Sequence, residues 1–281
     1  MHASNHYYGQ AHVFARFCGL DREAPPKIDG LLQHGWNPLH GQGFQKQPIP
    51  LGYPQLVWSD AARRRGQAYG WRNYYVVGAA WSYLVAMEPA DPAVEREGTI
   101  FYPFHGWESG RVDGSHQALA DEIRATEDGH VTVCLYWLEF DEPAIRDVYE
   151  RAGFHVISHG RRGRDREGTD PEFMYRQLVE LRRHRRVASN RVSTAIMYGA
   201  SVDCEVGIYG DPMSFNAGMS VAERKDHVLR LLPEMHGLAV APAVSRAVSR
   251  YELSMDRLAS PAELRELFGW RGAYERRQEA S

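Results

Sequence analysis

Between residues 98 and 210 the chain alternates short apolar runs with amphipathic stretches of helical length, and this pattern restricts its fold more than any other feature. Thr99-Ile100-Phe101-Tyr102-Pro103-Phe104 reads as a strand, and residues 115–125 as a helix with Leu119 and Ile123 on one side. Val131-Thr132-Val133-Cys134-Leu135-Tyr136-Trp137 is almost continuously apolar, as expected of a strand covered on both faces. A helix follows from Pro143, a good first-turn residue, to Ala152, where Gly153 supplies a stop. Phe154-His155-Val156-Ile157-Ser158 is the next strand, and Pro171 opens the next helix, with Phe173, Leu178 and Leu181 apolar. Arg186-Val187-Ala188-Ser189 is a short strand, residues 192–200 a helix, and Glu205-Val206-Gly207-Ile208-Tyr209 a last strand. Five strands alternating with helices call for a parallel sheet with helices on both faces.

Residues 1–88 read as a second α/β unit. Ile28-Asp29-Gly30-Leu31-Leu32-Gln33 runs as a strand into His34-Gly35-Trp36. Residues 54–58 make another strand, followed by a helix over 60–69 with Ser59 or Asp60 as its cap. Tyr74-Tyr75-Val76-Val77-Gly78-Ala79 is a third strand. Residues 88–98 are polar, proline-bearing and aperiodic, which suits a linker. Beyond Val221 the chain reads as helical, and Ser260-Pro261-Ala262-Glu263 is a capping box with proline at the first helical position.

The 281 residues are about two domains' worth of chain. Thirty-three basic residues against 36 acidic give a net charge of −3, which argues against a surface built to grip nucleic acid or anionic lipid. No apolar run approaches the ~18–20 residues of a membrane span, and the first residues lack a secretory pattern. Cys18, Cys134 and Cys204 are far apart and sit in apolar contexts, so they read as reduced core thiols of a cytoplasmic protein. One stretch departs from neutrality. Residues 151–200 carry eleven arginines and five carboxylates, a surplus of six positive charges that includes Arg161-Arg162-Gly163-Arg164 and Arg182-Arg183-His184-Arg185-Arg186. That surplus is either a solvated face or an attractor for an anionic ligand.

In open parallel sheets, ligands bind outside the carboxyl ends of the strands, so residues just after each strand carry the functional question. Ser189-Asn190-Arg191-Val192-Ser193-Thr194-Ala195 stands where a strand gives way to a helix, and free N–H groups there suit an anion. Hydroxyls at Ser189, Ser193 and Thr194 add donors, although a plain N-cap accounts for Ser189 or Asn190 as well. His105, beside Gly106, follows the first strand of this half, with Glu108 close behind. His34, in Gln33-His34-Gly35-Trp36, has the same placement in the N-terminal half, where a near-neutral base could take a proton from a hydroxyl. Gly78-Ala79-Ala80-Trp81-Ser82-Tyr83 is a third glycine-marked strand end, and Trp81 stacks on a ligand or packs in the core. Tyr136 stands near the end of one further strand and His159 just after another. Walker, dinucleotide, zincin and serine-hydrolase signatures are absent, as is Asp-x-Asp.

Taken together, Gln33-His34-Gly35-Trp36, the 77–84 segment, Phe104-His105 and the 189–199 segment resemble GT-B-type glycosyltransferase-like proteins of bacterial surface-polysaccharide synthesis. The His-Gly pair is also similar to that of polyol-phosphate transferases. The resemblance implies two Rossmann-like domains facing a cleft, with the N-terminal half reduced and a helical tail at the C-terminus. Residues 1–92 would be the acceptor side, 93–220 the nucleotide-sugar-binding domain and 221–281 the helical segment. By that likeness His34 takes the acceptor's proton, while His105, Ser189, Asn190, Arg191, Ser193 and Thr194 hold the donor phosphates. Gln33, Trp36, Gly78, Trp81, Glu108, Tyr136 and His159 would line the cleft. The expected partners are a nucleotide sugar and a glycan or lipid-linked acceptor, with no nucleic acid, no cofactor and no metal. Peripheral membrane association through such an acceptor stays open. The alternatives are a sugar-nucleotide epimerase or hydrolase on the same fold, or a non-catalytic binding protein of a glycan pathway.

Overall fold

The structure, a computed structural model, describes residues 3–38, 52–108, 110–163, 168–215 and 228–279. It is α/β and divides into two compact units. One comprises Met1–Pro89, Arg161–Tyr175 and Arg250–Ser281; the other comprises Ala90–Gly160 and Arg176–Ser249.

The first unit holds α1 (Gln10–Phe17), β1 (Leu31–Leu32), β2 (Gln55–Val57), α2 (Asp60–Ala68), β3 (Tyr74–Val76) and α3 (Ala80–Met87). β1, β2 and β3 form a three-stranded parallel sheet in that order. Ser59 caps α2 by accepting from the Ala62 N–H. Gly78, at φ +81°, ends the third strand's run in a conformation that side chains resist. α3 is apolar on most sides and correspondingly buried, with Trp81 and Tyr83 wholly enclosed.

In the second unit come β4 (Thr99–Tyr102), β5 (Val112–Asp113), α4 (His116–Thr126), β6 (Val131–Cys134), α5 (Trp137–Phe140), α6 (Pro143–Arg151) and β7 (His155–Ile157). They are followed by α7 (Phe173–Arg183, in this unit from Arg176), β8 (Arg186–Ser189), α8 (Thr194–Ser201), β9 (Glu205–Ile208), β10 (Ser214–Phe215) and β11 (Gly237–Val240). Its main sheet runs β7-β6-β4-β8-β9-β11, parallel except for β11. Numbered along the chain, this is the order 3-2-1-4-5-6 of a doubly wound Rossmann sheet. Phe101, Leu119, Ile123, Val133, Tyr149 and Ala188 pack as its core. At the amino edge Glu127 accepts from Arg186 (2.9 Å), Tyr209 (2.9 Å) and Thr99 (2.6 Å), so this buried carboxylate is fully occupied.

The tail does not form a separate helical segment. β11 adds an antiparallel edge strand to the six-stranded sheet, while α9 (Pro242–Leu253) leads to α10 (Pro261–Leu267) and α11 (Arg271–Glu279). Phe268 packs on Phe14 (5.1 Å) and Trp270 (5.0 Å), and the Trp270 indole donates to the Lys27 carbonyl (2.8 Å). The core of the first unit is thus completed by residues more than 240 positions away. The capping box at Ser260 and Glu263 is present as expected. Arg164 and residues 221–227, both part of the expectations above, lie outside the described residues.

Candidate functional site

The order 3-2-1-4-5-6 reverses between β4 and β8, and the crevice beyond the carboxyl ends of those two strands is where such sheets bind ligands. Tyr102 and Ser189 are register partners, so the segments that follow them leave the sheet side by side. His105 and the 189–194 turn, 84 residues apart at their nearest, therefore meet at the switch point.

Most side chains of that turn are committed to building it. Ser189 donates to the Tyr102 carbonyl (2.7 Å) and accepts from the Arg191 N–H (3.2 Å). The Asn190 side chain accepts from the Phe104 N–H and donates to the Asp211 carbonyl, each at 2.7 Å. Arg191 donates to the Pro212 and Met213 carbonyls and lies 4.0 Å over the Phe104 ring. These three residues tie β8 to the segments after β4 and β9. They fix the shape of the crevice instead of presenting free donors to it.

The remaining donors are at the start of α8. Ser193 is its N-cap by backbone conformation, yet no side chain caps the helix. The Ser193 hydroxyl is buried and makes no hydrogen bond among the described residues. The first N–H groups of a helix lack intrahelical acceptors, and the helix dipole makes them attractive to an anion. Thr194 opens the helix.

His105 is exposed at the other side of the turn. Its Nδ1 donates to the Gly106 carbonyl (2.7 Å), and its ring stacks on Tyr136 at 4.3 Å and 22°. A Cβ on Gly106 would stand 2.6 Å from the Gly110 carbonyl and 3.1 Å from a Glu139 oxygen, so the site requires glycine there. Glu139 is only 7% exposed; Oε1 accepts from the Gly106 N–H (2.6 Å), and Oε2 is buried with no hydrogen-bond partner among the described residues. A buried carboxylate oxygen without a donor is costly. Glu139 escaped the sequence reading because Val131–Trp137 read as one long strand, whereas β6 ends at Cys134 and Trp137 opens α5. Its signal was an acid flanked by Leu138 and Phe140 just beyond a strand.

Four residues expected in the cleft serve the architecture. The Gln33 side chain accepts from the Trp58 N–H and donates to the Gly35 carbonyl, each at 2.9 Å, and is buried. The Trp36 indole donates to Glu252 (3.0 Å), which also takes two hydrogen bonds from Arg65 (2.8 and 2.7 Å). Trp81 is fully enclosed, so it packs and does not stack on a ligand. His159 is buried and shares a 2.8 Å hydrogen bond with the Tyr102 hydroxyl; desolvation, aided by Arg176, drives its pKa down to about 3. Gly78 lies against Tyr83, and Glu108 is exposed after β4.

His34, after β1, has a different setting. It is half-buried, 4.8 Å edge-on from the Tyr7 ring and 5.4 Å from Tyr8. Arg162 lies 4.3 Å from the Tyr7 ring centre. Tyr8 holds φ +58°, a left-handed conformation costing a non-glycine residue on the order of 1 kcal/mol. Arg161–Tyr175 belong to this first unit, but their four arginines are matched by four carboxylates, so the positive surplus of residues 151–200 stays with the second unit.

No family profile and no curated protein sequence matches the chain. The solved structures it is similar to include two proteins. One is assigned as a UDP-N-acetylglucosamine 2-epimerase from Listeria monocytogenes, at TM-score 0.36 and 12% identity. The other is the UDP-GlcNAc 2-epimerase from Neisseria meningitidis bound to UDP-GlcNAc, at TM-score 0.33 and 12% identity. Each alignment takes in 74% of this chain, which spans 54% and 56% of those proteins respectively. No residue role is carried over from either.

All three cysteines are free and buried, and burial pushes the thiols of Cys18 and Cys204 up to about 12, which removes them as nucleophiles. Among the described residues no group of histidine, cysteine and acidic side chains is arranged to hold a metal ion. No described helix is long and apolar enough to cross a membrane.

Proposed function

We propose that the protein is an enzyme of nucleotide-activated sugars, and that it transfers the sugar to a hydroxyl of a glycan or lipid-linked acceptor. The observation that carries this reading is the switch point between β4 and β8, where an uncapped helix start and a buried, unpaired Ser193 hydroxyl adjoin an exposed histidine. The donor's phosphates would accept from the α8 N–H groups and Ser193, with His105 as a further donor. As the bond between the anomeric carbon and the phosphate oxygen breaks, its electron pair leaves with the nucleotide, and fixed donors oriented toward that charge lower the barrier. The acceptor oxygen forms the new bond to carbon, and His34 takes its proton.

A second reading, a sugar-nucleotide epimerase or hydrolase, is favoured by Glu139. Its carboxylate belongs to the same unit as the phosphate turn, so acid–base chemistry on the donor itself needs no group from elsewhere. Incubation of a nucleotide-sugar panel with and without glycan acceptors separates the two. Glycoside product that forms only with acceptor supports transfer. Altered or free sugar formed without acceptor supports the second reading, and binding of no nucleotide sugar rejects both.

A further inference from the structure

A carbonyl oxygen only accepts, so the 2.7 Å contact between the His105 ring and the Gly106 carbonyl places a hydrogen on Nδ1. In a neutral imidazole Nε2 then carries no hydrogen and is an acceptor. The stack on Tyr136 covers a face of the ring and not an edge. The residue is exposed, and Nε2 makes no hydrogen bond among the described residues. The backbone on either side is tied down, because Asn190 takes the Phe104 N–H (2.7 Å) and Glu139 takes the Gly106 N–H (2.6 Å). Charged groups on the elements around His105 are of both signs. Glu139 of α5 and Glu108 of the same loop are negative; Arg191, over the Phe104 ring and on the Pro212 and Met213 carbonyls, is positive. A neutral His105 would meet a phosphate oxygen acceptor to acceptor, which repels. A protonated one meets it with an Nε2–H and a positive charge.

We propose that His105 is a proton-linked clamp on the ligand's phosphate: a diphosphate that binds at the switch point draws one proton from solvent onto Nε2, which then donates to a phosphate oxygen. The clamp rests on the nucleotide-sugar reading of this site and adds the protonation state in which the site holds its ligand. No covalent bond other than N–H forms or breaks. Above the pH range in which a histidine carries charge, the proton must be taken from an ever scarcer supply. Affinity therefore falls as pH rises, by up to tenfold per pH unit for one proton.

The test is calorimetric titration of the full chain with uridine, cytidine, guanosine and thymidine diphosphates, in two buffers of different ionisation enthalpy. At about pH 8 a terminal phosphate, with a pKa of about 6, is already ionised, so a proton taken up belongs to the protein. For whichever nucleotide binds, an uptake of about half a proton or more is expected, with an affinity loss of about tenfold from about pH 7 to about pH 9. His105→Gln, whose amide donates at any pH, should bind with an uptake near zero and a level affinity across that range, unchanged circular dichroism certifying its fold. In the wild type with nitrogen-labelled histidine, the Nε2 resonance is identified by its loss in His105→Gln. It should change on binding from that of a bare nitrogen to that of a protonated one, while Nδ1 keeps its hydrogen. An uptake near zero in the wild type, an equal uptake in His105→Gln, or an Nε2 that stays bare in the complex overturns the clamp and leaves nucleotide binding standing. Binding of none of the four nucleotides overturns the clamp together with the reading it rests on. Should His105→Gln bind nothing, the wild-type Nε2 resonance decides alone, with the same two results.

Discussion

His34 and His105 carry the same local signature, a histidine and then a glycine just past an apolar strand, yet the molecule treats them differently. His34 is half-buried among two tyrosines with an arginine close by, whereas His105 lies exposed on the face of Tyr136. The ground beneath them differs as well. Two residues beyond His34, Trp36 is anchored on a buried Arg65–Glu252 ion pair. The turn before His105 is anchored by a neutral amide, Asn190, which spans Phe104 and Asp211. A strand-end histidine is therefore only a position. Its chemistry comes from what the rest of the chain brings to it; under the proposed transferase reading, proton transfer falls to His34 and phosphate contact to His105.

The largest expected effect breaks the charged anchor. Arg65→Met leaves Glu252 buried without its cation and should cost about 3–5 kcal/mol of stability, read by chemical denaturation. A loss below about 1 kcal/mol would place that carboxylate in water. Next, His34→Ala should lower turnover by roughly a hundredfold or more with little change in donor affinity, while His105→Ala should weaken donor binding and leave turnover at saturation closer to wild type. Steady-state kinetics with donor and acceptor varied separately decide whether the two histidines really divide the work. The neutral anchor should be cheaper: Asn190→Ala leaves one buried N–H and one carbonyl without partners, for about 1–3 kcal/mol.

The pH dependence provides a smaller contrast. His159 titrates near 6.5 when unfolded and near 3 when folded, so below pH 6.5 the unfolded chain binds the extra proton. This residue's contribution should erode stability as pH falls from about 6.5 toward 3, by up to roughly 1.4 kcal/mol per unit. His159→Gln should flatten that part of the profile, and an unchanged slope would assign the loss to other groups.

The legible part of this fold was the part that local pattern determines. β8 matches its expected span, α4 and α6 fall within a residue of theirs, and the 189–194 turn joins a strand to a helix as expected. The ownership of segments was not legible. Arg161–Tyr175 joins the first unit through tertiary contacts such as Tyr8 N–H to Arg162, which no window of sequence encodes. β11 is a short edge strand with Leu238 exposed, so it lacks the alternating burial that betrays a strand. Side-chain roles were the least legible: Ser189, Asn190 and Arg191 have the chemistry of phosphate ligands and spend it on the scaffold.

Calorimetric titration with uridine, cytidine, guanosine and thymidine diphosphates, on wild type and on Ser193→Val, addresses the switch-point site most directly. The account predicts saturable one-to-one binding of at least one of them, weakened about tenfold in Ser193→Val as the hydroxyl that meets the phosphate is lost. Binding of none of the four, or equal binding by the variant, would contradict it.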